Sequence, residues 1–227
     1  MDPGIEKLLD LNVPHVVVES LNDTELSPEV QHHLFKVRRL RIGAKMTATD
    51  GKGAWQQCVL GKESLELVNI REYCNERKAK IQVCIALTKS GKPELITQKL
   101  TELGVNSIKF FLADRSVPQW NEKKLNKNTN KLRAVAKMAL AQSKGVWFPE
   151  LSLDSKFEQV IGIPDMSMAD RRGEPLPSSV HKIMIGPEGG WSPTEYACSL
   201  PKFSIHELNL RSETAAIAAA VIMLGNF

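Results

Sequence analysis

At 227 residues, with 42% hydrophobic and 25% charged positions, the chain has the composition of an ordinary globular protein and not of a disordered one. Its length suits one small and one medium domain, each able to enclose a core. The net charge of +4 says little alone, but no apolar run reaches the roughly 18 residues of a membrane span, and Met1-Asp2-Pro3-Gly4 opens no signal-peptide pattern, so the chain is expected to stay in the cytoplasm.

In chain order, His15-Val16-Val17-Val18 reads as a strand, and Ser27-Pro28-Glu29 as a helix start with Ser27 as N-cap and Pro28 in the first turn. The stretch over residues 32–52 carries Lys36, Arg38, Arg39, Arg41, Lys45 and Lys52 against Asp50 alone. Adjacent His32 and His33 diverge by about 100° on a helix and have no third ligand nearby, so no metal is expected. Lys45-Met46-Thr47-Ala48-Thr49 alternates as a strand and Asp50-Gly51-Lys52-Gly53 turns, so the first 72 or so residues read as short strands and turns in a small β-rich module. A polar stretch over residues 71–78 sets the expected boundary, giving domains 1–74 and 75–227. The scattered Cys58, Cys74, Cys84 and Cys198 lack a C-x-x-C pair and read as reduced structural thiols.

Beyond the boundary, Ile81-Gln82-Val83-Cys84-Ile85-Ala86-Leu87 reads as a buried strand. A helix over residues 93–104 follows, with Pro93 at its start, Ile96, Leu100 and Leu103 on one face, and Gly104 as its cap. A second strand over residues 107–113 completes a parallel crossover, the unit of an α/β sheet. A long helix is expected over residues 129–142, inside a second basic stretch that holds Lys123, Lys124, Lys127, Lys131, Arg133, Lys137 and Lys144 against Glu122 alone. Positive charge gathered in two stretches suits contact with a phosphate backbone over a limited face. Prolines 164, 175 and 177 with Gly173 make most of residues 162–179 read as loop. Strands over 181–186 and 203–210 and a helix opening at Pro193 behind an N-capping Ser192 resume the rhythm. The helix over 213–224 is apolar all round and belongs in a core or a subunit interface.

Three motifs could carry chemistry. Gly186-Pro187-Glu188-Gly189-Gly190 follows a strand and precedes a helix, the place where open α/β sheets bind ligands, and its glycines would bring bare main chain against one. Leu210-Arg211-Ser212-Glu213-Thr214-Ala215 sits at another strand-to-helix junction, with Ser212 as expected N-cap and Arg211 supplying planar donors that capping does not require. Thr88-Lys89-Ser90-Gly91-Lys92-Pro93-Glu94, continuing to Gln98-Lys99 and Glu102-Leu103-Gly104-Val105, carries lysines from a strand end into a helix. Neither a dinucleotide-binding nor a P-loop signature is present.

Together these motifs resemble the bacterial 16S ribosomal RNA (uridine-N3) methyltransferase family, the small-subunit methyltransferase E type of the SPOUT superfamily. Residues 186–192 are similar to its GPEGGfs loop, residues 210–215 to its LRTETA, and Gln98-Lys99 with Glu102-Leu103-Gly104-Val105 to its QKxxELGV. Asp114-Arg115-Ser116-Val117 is similar to its ERSV segment. The sequence departs from the family at Ala141 and Gly145, where glutamate and arginine are usual, and at Val37-Arg38-Arg39, where the family has VLR.

The resemblance implies an α/β SPOUT-type C-terminal domain with a deep trefoil knot, preceded by a small β-rich PUA-like domain that binds RNA. It also implies a homodimer acting on 16S ribosomal RNA of the small subunit, with S-adenosylmethionine as cofactor and neither metal nor membrane. The cofactor would meet Leu87, Met168, Ile185, Gly186, Pro187, Gly189, Gly190, Leu208, Leu210, Thr214 and Ala215. RNA would meet Lys36, Arg38, Arg39, Lys89, Lys92, Lys99 and Arg115, with Lys144 standing in for the missing arginine. Arg211 would stabilise charge on the uracil ring, and Glu188 or Glu213 would take the imide proton. A non-catalytic ribosome-assembly factor and a SPOUT methyltransferase with another RNA target remain the alternatives.

Overall fold

The computed structural model describes residues 2–76, 78–88, 91–116 and 122–225, which divide into two compact units. The first comprises Met1–Glu76 and, from far along the chain, Leu140–Phe148. It opens with a helix, α1 (Pro3–Asp10), where only strands and turns were expected. The signal lies in its first residues: the Asp2 carboxylate accepts the Gly4 and Ile5 amides at 2.9 and 3.3 Å, Pro3 pre-sets the first turn, and Leu8 is fully buried. Strand β1 (His15–Val17) pairs in parallel with β2 (Lys45–Thr49), which continues antiparallel through β3 (Ala54–Leu60) and β4 (Leu65–Tyr73). Between β1 and β2, α2 (Pro28–His32) starts as the sequence indicates, with the Ser27 hydroxyl accepting the Val30 amide, and runs on into a π-helical turn, His33–Val37.

Val16, Leu21, Leu34, Met46 and Leu60 form the core of this unit. A smaller cluster joins Leu8, Trp55, Cys74 and Val146, so residues near 146 complete it. His15 is buried beside them. One ring nitrogen lies 2.7 Å from the Thr47 hydroxyl and the other 3.3 Å from the Gly145 carbonyl, an arrangement that suits a neutral ring donating to Gly145 and accepting from Thr47. Burial pushes its pKa down to about 4, against the pull of the Gly145 carbonyl. Burial likewise pushes the Cys58 and Cys84 thiols up to about 12, which leaves them protonated and inert.

The second unit comprises Arg77–Ala139 and Pro149–Phe227. Its sheet holds β5 (Gln82–Ala86), β6 (Ser107–Leu112), β7 (Glu150–Lys156), β8 (Ser167–Pro175), β9 (Lys182–Ile185) and β10 (Lys202–Ser204) in the order β10-β8-β9-β5-β6-β7. Every pairing is parallel. Such a sheet must be covered on both faces, and the strands show it. Val83 and Ile85 join one core with Ile108, Ile183 and Ala216, while Cys84 and Ala86 join another with Phe111, Met168 and Met184. Helices α3 (Lys92–Glu102), α4 (Glu122–Ser143), α5 (Phe157–Ile161) and α6 (Pro193–Tyr196) lie in the connections between strands, and α7 (Ser212–Leu224) follows β10.

Three expectations change here. Residues 162–179 contain a strand, β8, and not mainly loop. The strand expected over 203–210 stops at Ser204, because the chain then bends, with the His206 ring accepting the Leu208 amide. Arg211, not Ser212, is the N-cap of α7, so Ser212 is its first helical residue and is buried.

Candidate active site

Strands β9 and β5 are neighbours, and the connections leaving them run in opposite directions, from β9 toward β10 and from β5 toward β6, which opens a crevice at their carboxyl ends. A cavity of about 690 Å³ lies on the β9 side. Its walls are the loop following β9 (Gly186, Pro187, Glu188, Gly189, Gly190), part of β8 (Ala169, Asp170, Arg171, Arg172) and the bend before α7 (Ile205, His206, Leu208, Asn209, Leu210). The β8 wall has a local cause. Pairing with β10 jumps from Met168 to Glu174, and residues 169–172, released from that register, face the cavity.

The loop after β9 is locked from below. Ser192 caps α6 by accepting the Glu195 amide at 3.2 Å, and Glu195 returns the bond by accepting the Ser192 amide at 2.9 Å. The other oxygen of buried Glu195 accepts the Asp114 amide, the Ser192 hydroxyl donates to Asp114, and the Arg115 guanidinium donates to the Gly189 carbonyl at 2.9 Å. Trp191 forms the floor. Its ring stacks on Phe111 at 6.3 Å, and its indole N–H donates to the Ala169 carbonyl at 2.9 Å, tying the β9 loop to β8. Only glycine fits at 186, since a Cβ there would stand 2.9 Å from the indole. At Gly190, with φ +70°, a Cβ would meet nothing within 4 Å, so bare main chain borders open space.

Charge is distributed unevenly around these walls. Lys92, at the start of α3, donates to Glu188 and lies 3.2 Å from Glu213. Burial alone would raise the Glu213 carboxyl, but its own backbone N–H, Lys92 and Ser212 outweigh this and hold it below the usual carboxylate range. On the opposite side, Arg172 pairs with Asp170 at 3.4 Å and stands 5.0 Å from the centroid of the Tyr196 ring, whose environment also includes Lys202 at 4.8 Å.

Of the residues expected at the cofactor, Ile185, Gly186, Pro187, Gly189, Gly190, Leu208, Leu210 and Ala215 line the cavity. Leu87 and Met168 are instead buried in the two cores, and Thr214 is exposed and off the wall. Glu188 is on the wall, whereas Arg211 and Glu213 are not. Arg211 is exposed, and its side chain forms no hydrogen bond or ion pair among the described residues. Of the expected RNA contacts, Lys36, Arg38 and Arg39 are exposed and make no ion pair among the described residues. Lys99 pairs with Glu102, Arg115 holds Gly189, and Lys92 holds two carboxylates. Lys144 donates to the Leu8 and Leu11 carbonyls at the end of α1, so its ammonium is spent within the first unit. Lys89 lies outside the described residues. Sequence reasoning missed Trp191, Tyr196, Arg171, Arg172 and His206 as wall residues. Among the described residues, no group of three or more His, Cys, Asp or Glu could hold a metal ion, and no helix is long and apolar enough to cross a membrane.

Residues 75–224 match the family RNA methyltransferase domain, and residues 26–71 match RNA methyltransferase PUA domain. The chain is 27% identical over 201 residues to ribosomal RNA small subunit methyltransferase E of Bacillus subtilis, covering 78% of each. It is 25% identical over 228 residues to the protein of the same name in Synechocystis, covering 91% of this chain and 73% of that one. Its fold is similar to that of ribosomal RNA small subunit methyltransferase E from Neisseria gonorrhoeae, solved bound to S-adenosyl methionine. That likeness has a TM-score of 0.79 at 21% identity and covers 92% of this chain and 95% of the other.

Proposed function

The chain belongs to the RNA methyltransferase domain family, and from that premise we propose that it methylates N3 of a uridine in 16S ribosomal RNA with S-adenosylmethionine as donor. The observation that carries the proposal is the cavity walled by glycine-rich main chain after β9 and by the bend before α7. Its volume of about 690 Å³ falls within the range of small-molecule sites. The wall chemistry suits an adenosine: the side-chain-free loop at Gly190, which borders open space, lets a base come close to main chain, and Ile185, Leu208 and Leu210 offer apolar surface. Bound S-adenosylmethionine would supply a sulfonium methyl group as electrophile.

Uridine N3 must give up its imide proton before its lone pair can accept a methyl group. We assign the proton to Glu188, which lines the cavity. Glu213 is the weaker candidate, since it is off the wall and held below the usual carboxylate range, where a carboxylate binds protons poorly. Arg211, exposed at the N-cap of α7 with its donors unspent among the described residues, takes the negative charge that develops on the ring. Exposed Lys36, Arg38 and Arg39 of the first unit hold RNA phosphates. A homodimer, a trefoil knot and a cytoplasmic location belong to the same reading.

Nucleoside mass spectrometry of undermethylated small subunits after incubation with the protein tests the target, with N3-methyluridine as the expected product. A ribose-methylated nucleoside would move the activity to another target, and no binding of S-adenosylmethionine by calorimetry would make the chain a non-catalytic factor. Arg211→Ala is expected to abolish turnover while sparing cofactor affinity. Retention of more than about a tenth of the rate, ~1.4 kcal/mol of barrier, would remove Arg211 from its role.

A further inference from the structure

Lys92 occupies an unfavourable place. It is the first residue of α3, where unpaired amides already concentrate positive charge and a cation is disfavoured. No local advantage offsets this, because the preceding Gly91 provides no side-chain cap. A residue that breaks a local rule is expected to be held by something farther away. Here the ammonium donates to Glu188, on the loop after β9, and stands 3.2 Å from Glu213, in the first turn of α7. Its side chain is 23% exposed, and that of Glu213 is 13% exposed, so the contact is partly shielded from water. Glu188 lines the cavity, and Glu213 lies between Ser212 and Ala215 of α7, which line it too.

We infer that Lys92 is a positioning residue: it ties the loop carrying Glu188 to the start of α7 and so holds both cavity walls in the spacing the cofactor needs. A lysine suits the task because one ammonium can donate to two carboxylates that would otherwise repel each other. Hydrogen bonding to Glu188 holds Lys92 above the usual lysine range, so the ammonium of the tie stays charged at neutral pH. The lysine thus serves the interior of the site and is not free to meet RNA. The inference concerns the loops first, and its cofactor consequence rests on the methyltransferase reading.

The two parts are separable by experiment. Hydrogen exchange on the cofactor-free protein reports the loop through the Gly190 amide, which is bonded to the Pro187 carbonyl at 2.9 Å. Lys92→Met is expected to speed exchange at Gly190 about fivefold and weaken S-adenosylmethionine binding by a similar factor, with Lys92→Arg restoring most of both. Glu188→Ala cuts the same tie, so Lys92→Met added to Glu188→Ala should change Gly190 exchange no further. A general structural role would lower stability yet give the same increment in both backgrounds. Unchanged Gly190 exchange in Lys92→Met, or an equal increment in the Glu188→Ala background, overturns the inference. If the wild-type protein binds no S-adenosylmethionine while the exchange pattern holds, the tie stands and the methyltransferase reading falls.

Discussion

Replacing His15 by glutamine should remove a defined portion of the protein's acid sensitivity. In the folded chain burial keeps this ring neutral down to about pH 4, whereas in the unfolded chain it takes a proton near 6.5. The unfolded state therefore binds more protons between those values, and stability falls as pH drops from 6.5 toward 4. Above 6.5 the ring is neutral in both states, and the contribution is present in full. A shift from 6.5 to about 4 corresponds to about 3 kcal/mol in total, of which roughly 2 kcal/mol is lost between pH 7 and pH 5. Urea titrations at those two pH values should show wild type losing about 2 kcal/mol more than His15→Gln. A glutamine can keep contacts to Thr47 and Gly145 without titrating. An NMR titration placing the His15 ring above pH 6 in the folded protein, or equal losses in the two proteins, would refute the argument.

Two further outcomes follow, one from the site and one from the first unit. Trp191→Phe keeps an aromatic floor over Phe111 but loses the donor to Ala169, at a cost of about 1–2 kcal/mol. Calorimetry should find S-adenosylmethionine affinity reduced by about tenfold, and undiminished affinity would mean that the β8 wall needs no such link. Alanine at Lys36, Arg38 and Arg39 together should weaken RNA binding and flatten the slope of log affinity against log salt by about two. An unchanged slope would place the phosphate contacts elsewhere.

The sequence was most legible where local chemistry and burial agree. Residues 81–87 and 93–104 read directly as β5 and α3, because an unbroken apolar run and a Pro-to-Gly helix frame admit few other structures. Ser192 was readable as a cap for the same reason, since capping is local. Strand β8 was not, because Pro164, Pro175, Pro177 and Gly173 look like loop. Yet Gly173 is required where a Cβ would lie 2.3 Å from the Lys202 carbonyl, in the stretch where the strand leaves its register with β10. The glycines of residues 186–190 signalled a site, yet Trp191 gave no sign of being its floor. Stacking on Phe111 depends on a neighbour 80 positions earlier. The partners of Lys92 are illegible for a related reason: they lie on segments far along the chain.

The stretch Leu140–Phe148 has a consequence for how the polypeptide is made. The amides of Gly53 and Phe148 bond to the carbonyls of Val146 and Gly51, and His15 and Lys144 find their partners across the same seam. A ribosome that has released only the first 76 residues has therefore not yet supplied the pieces that finish the amino-terminal unit. That unit must wait, half-assembled, through the synthesis of two strands and two helices of its neighbour, a delay during which Trp55 and Leu8 lack their late-arriving cover.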